Sequence, residues 1–153
     1  MTRKFLWSVV VGLGLSCSVL GVAQEKGYWR AGSSTARSIT GDVGFSSEKI
    51  SINFATYWIA QIRTLTPAEI SAAFGAAGDA GGNGNLYRLS IPGDKKFLHK
   101  STLCGGADTQ WVATYVNGHE LQLAFFSGSK PPEMTADAMS NPTDLCGVFS
   151  YVK

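Results

Sequence analysis

Between Leu103 and Tyr151 the chain reads LCGGADTQWVATYVNGHELQLAFFSGSKPPEMTADAMSNPTDLCGVFSY. The centre of this stretch, Trp111–Phe126, predicts a β-hairpin around the favoured two-residue turn Asn117-Gly118. Polar and apolar residues alternate on its second strand, which is typical of a strand with one buried face. The apolar residues of that face are Leu121, Leu123 and Phe125.

Two cysteines lie on either side of this hairpin. Cys104 precedes it, and Cys146 opens a last strand in which Phe149 and Tyr151 alternate with other residues. Two cysteines in an exported chain usually pair. We therefore expect a Cys104–Cys146 disulfide that ties the last strand to the middle of the domain.

Residues 1–23 have the three parts of a secretory signal peptide. They are the basic pair Arg3-Lys4, the uncharged apolar run Phe5–Val22, and a cleavage site expected after Ala23. The apolar run is close to the minimum of about 18 residues for a membrane-spanning helix, so an uncleaved anchor is one alternative. Lipid attachment at Cys17 is another, although Gly14 occupies the position where a lipoprotein signal has a Leu-like residue.

Cleavage after Ala23 would leave one domain, residues 24–153, in the periplasm or outside the cell, with no membrane span. The whole chain has 13 Lys and Arg against 11 Asp and Glu, and loss of Arg3 and Lys4 would make it formally neutral. A neutral chain has no overall attraction to nucleic acid or anionic lipid. Nucleic acid is therefore not expected as a partner.

One α-helix is predicted at Thr66–Ala77. Thr66 is a favoured N-cap, Pro67 suits the first helical position, and Glu69 completes a capping box. From Ile70 onward, apolar residues follow at i, i+3, i+4 and i+7, which gives one apolar stripe. Gly75 favours an end after about three turns.

Most of the remaining chain has strand patterns. They lie at 39–45, 50–54, 56–65, 86–91 and 96–102, whereas 24–38 and 127–142 are expected to be irregular. In the second stretch, Ile50, Ile52 and Phe54 are assigned to the buried face. With the hairpin and the last strand, the chain has about seven or eight strands. The predicted fold is mainly β, an antiparallel up-and-down barrel or a two-sheet sandwich with one α-helix.

The sequence contains no known catalytic or metal-binding motif. A pair of carboxylates for hydrolysis of an envelope polymer remains an alternative. Its candidates are Asp42, Asp94, Asp108 and Glu120, and their spacing singles out no pair. No catalytic, metal-binding or cofactor-binding residue is assigned, and no cofactor is expected.

Binding is the leading hypothesis, because amphipathic aromatic residues are more numerous than a small core needs. If several of them line a barrel interior, they would form a cavity for a small apolar ligand. The candidates are Trp58, Tyr87 and Trp111. The Pro-containing segment 127–142 is a candidate docking loop for a protein partner instead. We therefore predict an exported, non-enzymatic binding protein.

Short segments of the chain together form one pattern, which consists of Leu86–Arg88, Leu103–Gly105, Trp111–Ala113, Leu121–Gly128 with Pro131-Pro132, and Leu145–Tyr151. This pattern resembles one in small exported bacterial proteins of uncharacterised function, over roughly the C-terminal half of the chain. The paired Leu-Cys-Gly motifs agree with the expected disulfide, and the resemblance implies no known activity.

Overall fold

The computed structural model describes residues 25–153, so the predicted signal peptide lies outside the described residues. Within them, eight strands close into one antiparallel barrel, in which neighbours along the chain pair and the first strand pairs with the last. This confirms the up-and-down barrel, one of the two predicted architectures. The strands are β1 (Gly27–Ala31), β2 (Val43–Phe45), β3 (Lys49–Ile52), β4 (Ala55–Thr64), β5 (Asn83–Ile91), β6 (Thr109–Asn117), β7 (Glu120–Phe126) and β8 (Leu145–Val152).

Three α-helices lie in the connections of the described chain: α1 (Ser34–Ile39), α2 (Pro67–Phe74) and α3 (Ala136–Ser140). The start of α2 is as predicted, since the Glu69 amide donates to Thr66 Oγ1 (3.2 Å) and the Thr66 amide donates to Glu69 Oε2 (2.8 Å). The helix ends at Phe74 because Gly75 adopts the left-handed conformation (φ 68°). None of the helices within residues 25–153 has the length and apolar character needed to span a bilayer.

Several stretches differ from the local predictions. Residues 127–142 were expected to be irregular, but they contain α3. Residues 24–38 were expected to be irregular, but β1 and most of α1 form there, with the Ser33 hydroxyl accepting from the Ala36 amide (3.1 Å) as an N-cap. Residues 96–102 were expected to form a strand, but they contain the short 3-10 helix Leu98–Lys100. His99 and Lys100 have positive φ angles of 54° and 60°, which a strand does not allow.

The predicted hairpin forms, but its turn lies one residue later than expected. Asn117 still pairs with Glu120, so the two turn residues are Gly118 and His119. Gly118 has φ 60°, which fits the first central position of a type II′ turn, where glycine is preferred. The glycine therefore sets the turn, while the asparagine belongs to the strand.

Alternating side chains of the strands build two separate cores. The interior core fills the barrel: Trp29, Ala36, Val43, Phe45, Ile50, Ile52, Ile59, Tyr87, Leu89, Ile91, Phe97, Leu103, Val112, Val116, Leu121, Leu123, Phe125, Phe149 and Tyr151. The outer core lies on the other side of the sheet: Leu65, Ile70, Ala73, Leu86, Trp111, Ala113, Tyr115, Ala124, Phe126 and Met134. The helix α2 therefore packs on the outside of the barrel.

The predicted disulfide is present. It joins Cys104, in the loop between β5 and β6, to Cys146 in β8, with an S–S distance of 2.00 Å. Both cysteines pack against the interior core. The bond therefore fastens the last strand to this loop, which also contacts α1 through a hydrogen bond between His99 Nδ1 and the Ser38 carbonyl (3.0 Å).

Candidate functional site

The barrel interior is occupied by bulky side chains from all eight strands. Trp29, Phe125 and Tyr151 are among the largest of them, and each is at most 1% exposed. Phe125 packs edge to face on Phe149, with ring centroids 5.5 Å apart, as aromatic pairs in cores prefer. These interior aromatic side chains therefore belong to the core, and the exposed aromatic side chains lie on the outside of the barrel.

The outward side of β5–β8 is covered by α2, α3 and the connection between β7 and β8, and we call it the covered face. Trp111 points outward from β6, yet it is only 6% exposed, and its indole N–H donates to the Gly128 carbonyl (3.1 Å). Phe74 of α2 stacks on Tyr115 at 5.7 Å. Aromatic side chains on this face are thus buried by segments of the chain itself.

The outward side of β1–β4 bears three exposed aromatic side chains. Tyr28 is 63% exposed, Trp58 is 66% exposed, and Phe54 at the β3–β4 turn is fully exposed. We call the outward side of β1–β4, with these three side chains, the open face. Exposed apolar groups gathered on one surface mark an interaction site more often than scattered ones do.

A groove crosses the open face where Gly44 has no side chain. Cross-strand pairing places Tyr28, Gly44, Ser51 and Thr56 in one row. A cleft of about 580 Å³ adjoins this row and extends to Phe54. A second cleft, of about 450 Å³, shares Tyr28, Gly44 and Ser51 with the first. The groove is therefore lined by two of the three exposed aromatic side chains, Tyr28 and Phe54.

Polar contacts within the open face hold the wall of this groove. The Tyr28 hydroxyl donates to Asp42 Oδ2, and the Ala31 amide donates to Asp42 Oδ1 (2.9 Å). The hydrogen bond from Tyr28 and then that from Ala31 lower the pKa of Asp42, which is therefore ionised at neutral pH. The hydroxyl groups of Ser51 and Thr56 bond to each other (3.1 Å).

Phe54 stands in a backbone conformation that favours glycine. Ile52 pairs with Ala55, so Asn53 and Phe54 are the two turn residues, with φ angles of 45° and 65°. Positive φ at both positions is the pattern of a type I′ turn, for which Asn-Gly is the preferred pair. A side chain in the left-handed region costs roughly 1–2 kcal/mol. Phe54 thus combines backbone strain with an aromatic ring fully in water, and neither stabilises the fold.

Trp58 is held in place by a cation. Lys49 is its cross-strand partner, and the Lys49 Nζ lies 4.3 Å from the centroid of the indole ring. Such a contact at an exposed position contributes about 0.5–1 kcal/mol. The indole ring is therefore preorganised on the open face while most of its surface stays accessible.

The three candidate ligand residues from the sequence lie on three different surfaces. Trp58 is on the open face, Trp111 is on the covered face, and Tyr87 is in the interior core, 4% exposed. Burial, and then the nearby Glu25, raises the pKa of Tyr87 to about 12. The structure does not bring the three together around one cavity, and ligand binding by any of them stays a prediction.

Phe54 is not among the residues predicted from the sequence, because its alternation with Ile50 and Ile52 predicted a place on the buried face of a strand. Those two isoleucines are indeed fully buried, but the strand ends at Ile52. The available signal was Asn53, a residue that tolerates positive φ and favours turns. Without a following glycine, that signal is weak.

The four carboxylates considered for hydrolysis do not gather in the open-face clefts. Of the four, Asp42 lines the larger cleft. Its pKa is lowered, whereas a carboxyl group that acts as a general acid needs a raised pKa. Asp108 accepts a hydrogen bond from the Gly93 amide (2.8 Å). Asp94 and Glu120 are exposed at loops and strand ends. The hydrolase alternative stays a prediction without a specific observation in its favour.

One buried carboxylate was not singled out from the sequence. Glu25 is 2% exposed, and its Oε1 accepts hydrogen bonds from Asn85 (2.7 Å) and Thr114 (2.5 Å). Its Oε2 has no partner among residues 25–153. Glu25 therefore ties the chain before β1 to β5 and β6. Within the described range, no three His, Cys, Asp or Glu side chains are grouped to hold a metal ion.

Comparisons of the chain with protein-family models, with curated proteins and with solved structures found no match.

Proposed function

We propose that the protein is an exported, non-enzymatic binding protein whose open face binds a protein partner. The observation that carries this proposal is Phe54, a fully exposed aromatic ring on a strained turn. Strained residues cluster at ligand clamps and recognition sites, because selection for the fold alone would replace them. Glycine at this position would relieve the strain and remove the apolar exposure together.

The chemistry of the open face favours a protein partner. Binding hot spots are enriched in Trp and Tyr, and aromatic anchors fill pockets on the opposite surface. Tyr28 lines both clefts, and Phe54 projects at the end of the larger one. Lys49, which lines the second cleft, lies over the ring of Trp58. Because interior-facing side chains occupy the barrel, a contact on the outside has more support than a small apolar ligand inside.

Export is supported by the covalent structure. Disulfides persist in oxidising compartments such as the periplasm and the extracellular space, and Cys104 and Cys146 form one. A partner in the cell envelope, or outside the cell, is consistent with this location.

Native mass spectrometry of protein that is purified from cells without denaturation tests the proposal. We expect a discrete added mass on the wild-type protein and its loss from the Phe54→Gly variant. Loss from Phe54→Gly is informative because the substitution relieves strain and is not expected to unfold the chain.

Ile62→Ala is the matched control. Ile62 is a half-exposed apolar residue of β4 that lines neither open-face cleft, so this variant should keep the added mass. The proposal fails if Phe54→Gly retains the added mass, or if the wild-type protein carries no added mass and also does not associate with itself at high concentration. An added mass of only a few hundred daltons would show that the protein binds a small ligand and would contradict the protein partner.

A further inference from the structure

The open face contains both a projecting ring and a recess. Phe54 projects from the β3–β4 turn, and the cleft of about 580 Å³ beside it is lined by Tyr28, Gly41, Asp42, Val43, Gly44, Ser51, Asn53 and Phe54 itself. Apolar area makes up most of this lining, so the recess suits an aromatic ring better than a charged group. Projection and recess are thus neighbours on one surface.

We infer that the partner of the open face is a second copy of this chain, with Phe54 of each copy in the recess of the other. This inference rests on the proposed function, in which the open face is the contact surface. A two-fold dimer uses the same patch on both copies, so the patch must be complementary to itself. A projection beside a recess of suitable size meets that condition, because the two-fold rotation exchanges them.

The charges of the open face agree with self-association. The acidic Asp42 and Glu48 and the basic Arg30 and Lys49 lie on or beside this face. A two-fold rotation can bring basic groups of one copy towards acidic groups of the other. The formal charge is +2 for the whole chain and zero without residues 1–23, so two copies repel each other weakly at most. An anionic membrane would require a cluster of basic side chains, and the two carboxylates here oppose it.

The available area predicts a modest affinity. An aromatic side chain has about 150–250 Å² to bury. Because Tyr28 and Trp58 are about two-thirds exposed and Phe54 is fully exposed, the three rings give on the order of 400 Å² per copy. Stable interfaces bury about 800 Å² per partner, and the neighbouring polar residues would supply the rest. We therefore expect a reversible dimer with a dissociation constant in the micromolar range, at the weaker end for a specific interface.

Sedimentation velocity of the purified protein alone, from about 1 to 500 µM, tests this inference. We expect the weight-average mass to rise from that of one chain towards that of two. Phe54→Gly should stay monomeric over the whole range, since it removes the projection from both copies. A wild-type protein that stays monomeric at the highest concentration overturns the inference.

Gly44→Leu provides a second, independent variant, because it fills the recess and leaves Phe54 in place. Gly44 does not have a positive φ, and an added Cβ would meet its nearest atoms at 3.9 Å, so a side chain is tolerated. This variant should also be monomeric, whereas Ile62→Ala should dimerise like the wild type. Dimerisation that survives both Phe54→Gly and Gly44→Leu assigns the contact to another surface and also overturns the inference.

The two proposals fail in distinguishable ways. If the purified chain is monomeric but the natively purified protein carries a different polypeptide that Phe54→Gly loses, the open face binds a partner and the second-copy inference alone is wrong. If neither self-association nor an added mass is found, both are wrong.

Discussion

Trp111 and Trp58 are a matched pair on the two sides of the barrel. Both point outward from strands, and a cation lies over each ring: Arg88 is 4.6 Å from the Trp111 centroid and Lys49 is 4.3 Å from the Trp58 centroid. Yet Trp111 is 6% exposed and Trp58 is 66% exposed. Other segments of the chain bury the covered face, whereas the aromatic side chains of the open face stay exposed.

This difference separates structural aromatic residues from candidate functional ones. On the covered face, α2 and α3 contact each other and α2 contacts β7, so outward rings become part of a second core. On the open face, Tyr28, Phe54 and Trp58 make a surface whose apolar area stays in water. The two faces should therefore respond differently to substitution.

The largest difference is expected between the two tryptophans. Trp111→Ala should lower the free energy of unfolding by about 3–5 kcal/mol, because it removes a buried ring and leaves a cavity. Trp58→Ala should change it by less than about 1 kcal/mol, since it loses mainly the contact with Lys49. Urea denaturation of both variants measures this. Equal destabilisation would mean that the two faces do not differ in their structural role.

The disulfide should have the next largest effect. The Cys104→Ser/Cys146→Ser double variant removes a cross-link between residues 42 apart, which should lower the free energy of unfolding by about 2–4 kcal/mol. Urea denaturation with and without reductant measures this, and reduced wild-type protein should approach the double variant. Two free thiols in denatured, non-reduced wild-type protein would contradict the disulfide itself.

A smaller effect is expected where α2 begins on the covered face. Thr66→Ala removes the acceptor of the Glu69 amide and should cost about 1 kcal/mol, whereas Thr66→Ser retains the capping hydroxyl and should cost little. Thermal unfolding followed by circular dichroism compares the two variants. If Thr66→Ser were as unstable as Thr66→Ala, the cap would not be the cause.

The smallest effect, of opposite sign, is expected at the tip of the open face. Phe54→Gly should raise the free energy of unfolding by up to about 1 kcal/mol, because relief of strain exceeds the entropy that glycine adds to the unfolded chain. Phe54→Ala keeps the strain and removes only the exposed ring, so its stability should stay near that of the wild type. Urea denaturation of the monomeric protein at low concentration checks both. A loss above about 1 kcal/mol in either variant would show that the ring supports the fold.

Much of the fold could be predicted because the signals are local. Alternation along β7, the hairpin, and the capping box at Thr66 each depend on residues a few positions apart. The cysteine pair follows from there being two cysteines after residue 23 in a chain expected to be exported. Local prediction was wrong at Phe54 and at 96–102. Residues other than glycine have positive φ angles there and end the strand pattern, so the sequence contains no glycine that would indicate the turn.

The candidate site could be predicted only in part. Trp58 was among the candidates, but so were Tyr87 and Trp111, which the barrel places in the interior and under the covered face. Along a strand, the alternation of side chains tells which residues share a side, and it does not tell whether that side meets another element.

The sequence by itself determined an antiparallel β domain with one well-capped helix and a Cys104–Cys146 bond, since periodicity, capping and cysteine number are properties of short segments or simple counts. The tertiary structure alone decided that the sheet closes, because closure requires β1 to meet β8 across more than a hundred residues. It also decided which outward aromatic residues are covered. Which rings are covered depends on where α2 and α3 pack. Because these helices pack on the covered face, Tyr28, Phe54 and Trp58 stay in contact with water.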